Sequence, residues 1–202
     1  PHTLSQAWKT QMDAAVYAEP LVVKEHVLIV TENDSIYSLD AQSGRVQWQT
    51  NVGTPVSRST LPCGNIDPLG ITSTPVYDPQ TDLLFVVAEM EGPAHILIGV
   101  DLETGQIRVK RNLDLSGMDP STHQQRAALA LYQNHVYVSF GGLAGDCGQY
   151  RGTVVASQTD GQGPLLFYRV PTPREGAIWA TSGPAIDARG QIFVSVGNGE
   201  VT

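Results

Sequence analysis

A repeat of about 55 residues constrains this chain more than any other feature. Four segments share one pattern: a short apolar strand, a polar turn, then a stronger apolar strand. They read "AEPLVVKEHVLIVT", "TSTPVYDPQTDLLFVVA", "RAALALYQNHVYVSF" and "TSGPAIDARGQIFVSVG". Anchored on Pro20, Pro75, Leu129 and Pro184, they recur at intervals of 55, 54 and 55 residues. The predicted second strands are Val27–Val30, Leu83–Val87, Val136–Phe140 and Ile192–Val196. All are short runs rich in β-branched and aromatic residues, as buried strands are.

A second hairpin follows the first in each unit. In "IYSLDAQSGRVQWQT", Ile36 to Thr50, alternation of apolar residues breaks at Asp40 and resumes at Val46 and Trp48. Asp40 is suited to bond the turn amides through its side chain, and Gly44 to take the positive φ the turn requires. "VDLETGQIRV" repeats the device with Asp101, Thr104 and Gly105, and places Val109 where Trp48 stands. A third copy, "VVASQTDGQ", keeps only Gly161 of the turn. Before Pro20, "AWKTQMDAAVY" reads as the end of an earlier unit, with Trp8 in the role of Trp48. Four strands in each 55-residue unit predict β-propeller blades. Solenoids of shorter repeats and helix-alternating repeats fit this period less well.

The fold class expected is therefore all-β: a β-propeller of four-stranded blades, either partial, with roughly 3.5–4 blades, or four-bladed. The chain, 1–202, reads as one propeller domain or a fragment of one. Residues 1–17 end a preceding blade, 18–52, 71–112 and 127–170 form blades, and 178–202 begin a further one. The chain opens at Pro1 rather than Met, which fits a processed protein or a piece of a longer one. In the four-bladed alternative the N-terminal strand completes the last blade. In a fragment, an open end exposes apolar strand edges, which favours aggregation or pairing with another chain. Loops are expected at 53–72, 88–95, 112–126 and 141–150.

The net charge of −8, from 12 basic and 20 acidic residues, argues against binding a phosphate backbone. No apolar run approaches the roughly 18 residues of a membrane span. Cys63 and Cys147 are either joined in one disulfide, which places the protein outside the cytosol, or stand as two unpaired thiols. Of the five histidines, His26 and His135 occupy the same turn position of two blades and are expected on the surface; His2 and His95 carry no signal. "HQQR", His123 to Arg126, reads as a polar loop that, with Asp119, is positioned to line a cleft on one face. "GGLAG", Gly141 to Gly145, lacks the helix that a phosphate cradle needs and reads as a loop.

"SLDAQSGRVQW", Ser38 to Trp48, resembles the tryptophan-docking repeat of pyrroloquinoline-quinone (PQQ) propellers, Ala-x-Asp-x-x-x-Gly-x-x-x-Trp. Asp40, Gly44 and Trp48 match it, and Ser38 stands for the Ala. The resemblance implies that each Trp packs on the neighbouring blade. It leaves two functional classes open. One is the PQQ- and calcium-dependent alcohol dehydrogenases; the other is the non-enzymatic PQQ-like propellers, which include the outer-membrane assembly lipoprotein. The stretches "CGNIDPLGITSTPVYD", "GGLAGDCGQYRGTVVA" and "GAIWATSGPAIDARGQIFVSVGNG" resemble the second group.

The dehydrogenase pattern is only partly kept. Its Gly-x-Arg-Gly stretch leaves Arg151 and Gly152 here, but Cys147 falls where a calcium-binding Glu belongs, beside Asp146. Its Gly-Thr-x-Trp-Asp stretch leaves Gly176 and Trp179, with Ala177 and Ala180 at the polar positions. Its calcium-binding Asn matches Asn198, without the following Pro-Trp. The family's catalytic Asp would lie beyond Thr202. If the quinone reading held, Asn198 and Asp146 would bind calcium, Arg151 would fix PQQ and Trp179 would flank it. Calcium takes 6–8 oxygen ligands, and Cys supplies neither the charge nor the hard donor. The scaffold positions persist while the polar ones are lost. The reading is a non-catalytic scaffold or binding module, secreted or periplasmic, without cofactor. Its partner would be an unidentified protein or small molecule at a propeller face; the alternative is a fragment of a PQQ- and calcium-dependent alcohol dehydrogenase.

Overall fold

A computed structural model of the chain describes residues 3–199; His2 and the end of the last predicted unit, 200–202, lie outside the described residues. The strands build three successive four-stranded antiparallel sheets. The first holds β1 (Leu21–Val23), β2 (His26–Val30), β3 (Ser35–Asp40) and β4 (Val46–Asn51). The second holds β5 (Val76–Asp78), β6 (Leu83–Met90), β7 (Ala94–Asp101) and β8 (Ile107–Asn112). In the third, a short β9 (His123–Gln124) pairs with the end of β11 (His135–Gly142), and β10 (Ala130–Tyr132), β11, β12 (Thr153–Gln158) and β13 (Leu166–Arg169) follow in order. Beyond them, β14 (Glu175–Ala177) pairs with β17 (Gly197–Gly199), and β15 (Ala185–Ile186) with β16 (Ile192–Phe193). The chain is an all-β partial propeller of the expected blade type.

Cores form between blades because each sheet is apolar on both faces. Leu28, Val30 and Ile36 of the first blade pack on Leu84, Val86, Ile98 and Val100 of the second. The opposite face of that second sheet, with Phe85, Val87 and Leu97, packs on Val136, Val138 and Phe140 of the third. Each side chain of this kind contributes about 1.5–3 kcal/mol on full burial. Both neighbours of a blade are therefore needed to cover it.

The hairpin turns behave as their residues require. Asp40 accepts hydrogen bonds from the backbone N–H (2.7 Å) and hydroxyl (2.6 Å) of Ser43, and Asp101 from those of Thr104 (2.9 and 2.7 Å). Gly44 and Gly105 both sit at φ 68°. Each glycine also admits an aromatic ring from the blade before. The Trp48 ring lies over Gly105 and its Nε1–H donates to Leu102 O at 2.9 Å, while Thr50 donates to Gly105 O at 2.7 Å. Trp8 repeats this on Gly44, donating to Ala41 O at 3.1 Å, with Thr10 donating to Gly44 O at 2.6 Å. In the third junction Val109 contacts Gly161, and the Arg111 guanidinium donates to Gly161 O and Gln162 O at 2.7 and 2.6 Å.

Four local expectations fail, three of them because a polar residue is buried. The loop expected at 88–95 is strand: β6 runs through Met90, β7 starts at Ala94, and Glu89 is buried. Glu89 stays inside because one oxygen accepts the Gln125 N–H at 2.8 Å. His26 is buried rather than exposed, bonded to Ser38 Oγ at 2.7 Å. In "HQQR", His123, Gln124 and Gln125 are buried as well, and only Arg126 is exposed. Gly141 and Gly142, expected in a loop, end β11.

Candidate functional site

Residues from all four units meet around one cavity. Chain entering the first three inner strands supplies Tyr17, Glu19, Thr72, Thr74, Gln124 and Arg126; Gly142 at the end of β11 and the loop after it, through Asp146, close one side, Trp179 and Thr181 another. The cavity measures about 460 Å³. Glu19, Thr74 and Gln124 sit at the entry to the inner strands, so that part of the lining is set by the repeat.

Two loops over this face are tied covalently. Cys63 and Cys147 form a disulfide with Cα atoms 6.1 Å apart. Leu61, Leu69 and Leu143 pack beneath it with Val56. Arg58 braces the first loop, donating to Gly64 O at 2.7 Å and Leu61 O at 3.2 Å.

The residues singled out from the sequence separate into two groups. Asp146 and Trp179 both line the cavity. Trp179 lies over Gly141 and its Nε1–H donates to Gly142 O at 3.3 Å. Asn198 reaches Asp146 directly, with Nδ2 donating to Oδ2 at 2.9 Å, and Tyr150 donates its hydroxyl to Oδ1 at 2.5 Å. Burial and the Asp146 carboxylate together push the Tyr150 phenol well above its usual range. Arg151 is outside the cavity lining; its guanidinium donates to Val170 O at 3.2 Å.

Asp146 and Asn198 are engaged with each other, and Asp146 also with Tyr150. Asp146 is the carboxylate at the site, and both its oxygens already accept hydrogen bonds. The Arg174 guanidinium donates to Asp146 O and pairs with Glu175, so the neighbouring negative charge is neutralised as well. Among the described residues no three His, Cys, Asp or Glu are grouped to hold a metal. A hard divalent cation needs several free oxygens, carboxylates among them. Arg151 donates to a main-chain carbonyl through one terminal nitrogen, and its buried Nε–H has no hydrogen-bond partner.

Two buried residues behind the cavity wall had no part in the sequence reading. Glu32, just after β2, and Glu89, near the end of β6, stand at equivalent register in consecutive blades. Each crosses to the next unit: Glu32 accepts the Gly70 N–H at 2.7 Å, Glu89 that of Gln125. Burial raises the Glu32 carboxyl to about 7 against the opposing Gly70 bond. Asp34 beside it is fully buried with neither oxygen hydrogen-bonded. Its burial, and then the charges of Glu89 and Glu32, raise it to about 8. His95 is buried too; burial favours the neutral ring, but the hydrogen bond to Asp114 (2.7 Å) and the Glu89 carboxylate 3.7 Å away outweigh it and raise the imidazole to about 9. The signal for this cluster was the matched spacing of Glu32 and Glu89, which strand patterning alone passes over.

A family model described as outer membrane protein assembly factor BamB matches residues 2–139. The quinohemoprotein alcohol dehydrogenase ADHIIG of Pseudomonas putida HK5 is similar at a TM-score of 0.71 and 21% identity, over 96% of this chain and 30% of that one. BamB of Moraxella catarrhalis is similar at 0.51 and 14%, over 95% and 66%. A computationally designed protein, Ika4, is similar at 0.54 and 14%, over 96% and 99%. At these identities the likeness shows the fold alone, and the chain spans less than a third of the dehydrogenase. No curated protein matches the chain.

Proposed function

We propose, starting from the fact that this chain belongs to the outer membrane protein assembly factor BamB family of PQQ-like propellers, that it is a non-catalytic binding scaffold whose loop face holds a partner. One observation carries the reading. Asp146 and Asn198, the two positions that resemble calcium ligands, are bonded to each other, and Tyr150 takes the remaining carboxylate oxygen. The site is thus closed as a hydrogen-bonded brace for the loop under the disulfide. What stays open is the cavity beside it, with the exposed Arg126, the polar Asn65, Thr72 and Thr74, and the Trp179 ring. Such a wall suits polar main chain or a small polar ligand with one apolar group. Loops gathered by a rigid scaffold are where binding residues concentrate. The disulfide fits an oxidising compartment, hence a secreted or periplasmic protein.

The alternative, a fragment of a PQQ- and calcium-dependent dehydrogenase, draws on the TM-score to one such enzyme and on Trp179 and Asp146 sharing one cavity. Calorimetric titration with PQQ and calcium together decides between them. No heat is expected from a monodisperse sample. Saturable binding that disappears in Asn198→Ala overturns the scaffold reading. The scaffold's own partner is sought by pull-down, and its capture is expected to fail with Trp179→Asp and Arg126→Glu.

A further inference from the structure

Three buried acids converge on one glycine between the first two blades. Gly70 lies in a buried strap, residues 69–72, that leads from the disulfide loop to the second blade. Its N–H donates to Glu32 Oε2 at 2.7 Å, and its carbonyl accepts the Glu89 N–H at 3.3 Å. A Cβ on Gly70 would fall 2.4 Å from Glu32 O and 2.8 Å from Asp34 Oδ1. The strap is therefore pressed onto the turn between β2 and β3, and the Ile71 N–H donates to Thr31 O of that turn at 3.3 Å. Its last residue, Thr72, lines the loop-face cavity, as do Asn65 and Ile66 of the loop before it.

The charges here differ from those at the next junction. There Glu89 faces a base, His95, which Asp114 holds from the other side. At the first junction the titratable groups acting on Asp34 and Glu32 are each other and Glu89, all acids. Asp13, on the far side of the turn, is taken up by Thr31, Asn33 and Ser35. Both oxygens of Asp34, and Glu32 Oε1, are buried without a hydrogen-bond partner. A carboxyl in such a place is kept neutral by a proton, because the charged form has lost water and gained no donor.

We propose that Asp34 and Glu32 are a proton-held latch on the strap: protonated, they let it seat on the turn; ionised, they repel each other and Glu89, draw water in past Thr72 and lift it from the cavity wall. Binding at the loop face is thereby tightened by acid and loosened toward neutral pH. That consequence rests on the loop-face reading; the latch itself does not. The direction follows from where the protons sit. Ordinary values of 3.8 and 4.5 are raised in the seated state to about 8 for Asp34 and about 7 for Glu32. The seated strap holds protons that the lifted strap releases, so lifting becomes easier as pH rises from 3.8 and levels off above about 8.

Native-state hydrogen exchange tests the latch without any ligand. Protection of the Gly70 and Ile71 amides, corrected for intrinsic exchange, is expected to fall at least tenfold per pH unit between about pH 5 and 7. It should also be insensitive to urea below the unfolding transition, since lifting a short strap exposes little surface, while the core amides of Ile98 and Val100 respond to urea in full. Asp34→Asn combined with Glu32→Gln keeps both volumes and leaves an acceptor for the Gly70 N–H; its strap protection is expected to be flat with pH. Equal urea dependence at strap and core overturns the proposal, because the strap then opens only with the whole fold. So does a pH slope that survives in the double variant. A latch that passes while no partner is captured leaves the loop-face reading to fail alone.

Discussion

Asp34→Asn should stabilise the protein more the higher the pH. Asp34 is fully buried, neither carboxylate oxygen has a hydrogen-bond partner, and its φ is 53°. Asn tolerates that left-handed backbone well, keeps the volume, and gives up no existing side-chain bond. In the folded chain the carboxyl is raised from 3.8 to about 8. The folded state therefore holds a proton that the unfolded state has released. Stability falls as pH rises from 3.8 through about 8, by about 1.4 kcal/mol per unit. Between pH 4.5 and 7.5 the aspartate withdraws about 4 kcal/mol that the asparagine does not. Glu32 slopes the same way between 4.5 and about 7, and His95 loses its stabilisation as pH rises from 6.5 through about 9. Both remain in the variant, so the difference between the two proteins reports Asp34 together with its coupling to Glu32 and Glu89. Urea unfolding of both at pH 4.5, 5.5, 6.5 and 7.5 measures it. A difference that stays constant within about 1 kcal/mol across that range would refute the reasoning, because it would mean Asp34 ionises inside the fold without cost.

Reduction of the disulfide, or Cys63→Ser with Cys147→Ser, frees an 84-residue span and should lower stability by about 4 kcal/mol in denaturant titration. Trp48→Ala removes the ring over Gly105 and the bond to Leu102 O; a loss of about 3 kcal/mol is expected from calorimetry, with an unchanged blade signal in far-UV dichroism. Gly105→Ala puts a methyl group into the Trp48 ring at φ 68°; the result should be at least as severe, about 3 kcal/mol, and Trp48→Ala should partly relieve it in a double-mutant cycle.

The blade architecture was legible because burial on both faces forces it into the sequence. A sheet packed between two others writes continuous β-branched runs, and the tight turns after β3 and β7 demand Asp and Gly at set positions. Trp48 and Trp8 could be read for the same reason. His123, Gln124, Gln125 and Glu89 could not, since a buried polar side chain looks like a loop residue until its partner is known. For Glu89 that partner is a backbone N–H 36 residues away, and main-chain donors leave no mark on composition. The candidate site was half legible. Asp146, Asn198 and Trp179 were named from their motif positions, but the motif is silent on Tyr150 and Arg174, which decide what Asp146 is free to do. Arg151 kept its place in the motif and turned its guanidinium to Val170 O.

The bond between Cys63 and Cys147 also changes how force travels. It joins the loop after the first blade to the loop of the third, with the whole second blade between. A pull on the two ends passes through the sulfurs and bypasses that blade. Roughly 280 Å of contour, at about 3.4 Å per residue, is withheld from extension while the bond is intact. A protease cut anywhere from 64 to 146 likewise leaves one covalent molecule, so the second blade can be nicked and still be held in register by its neighbours.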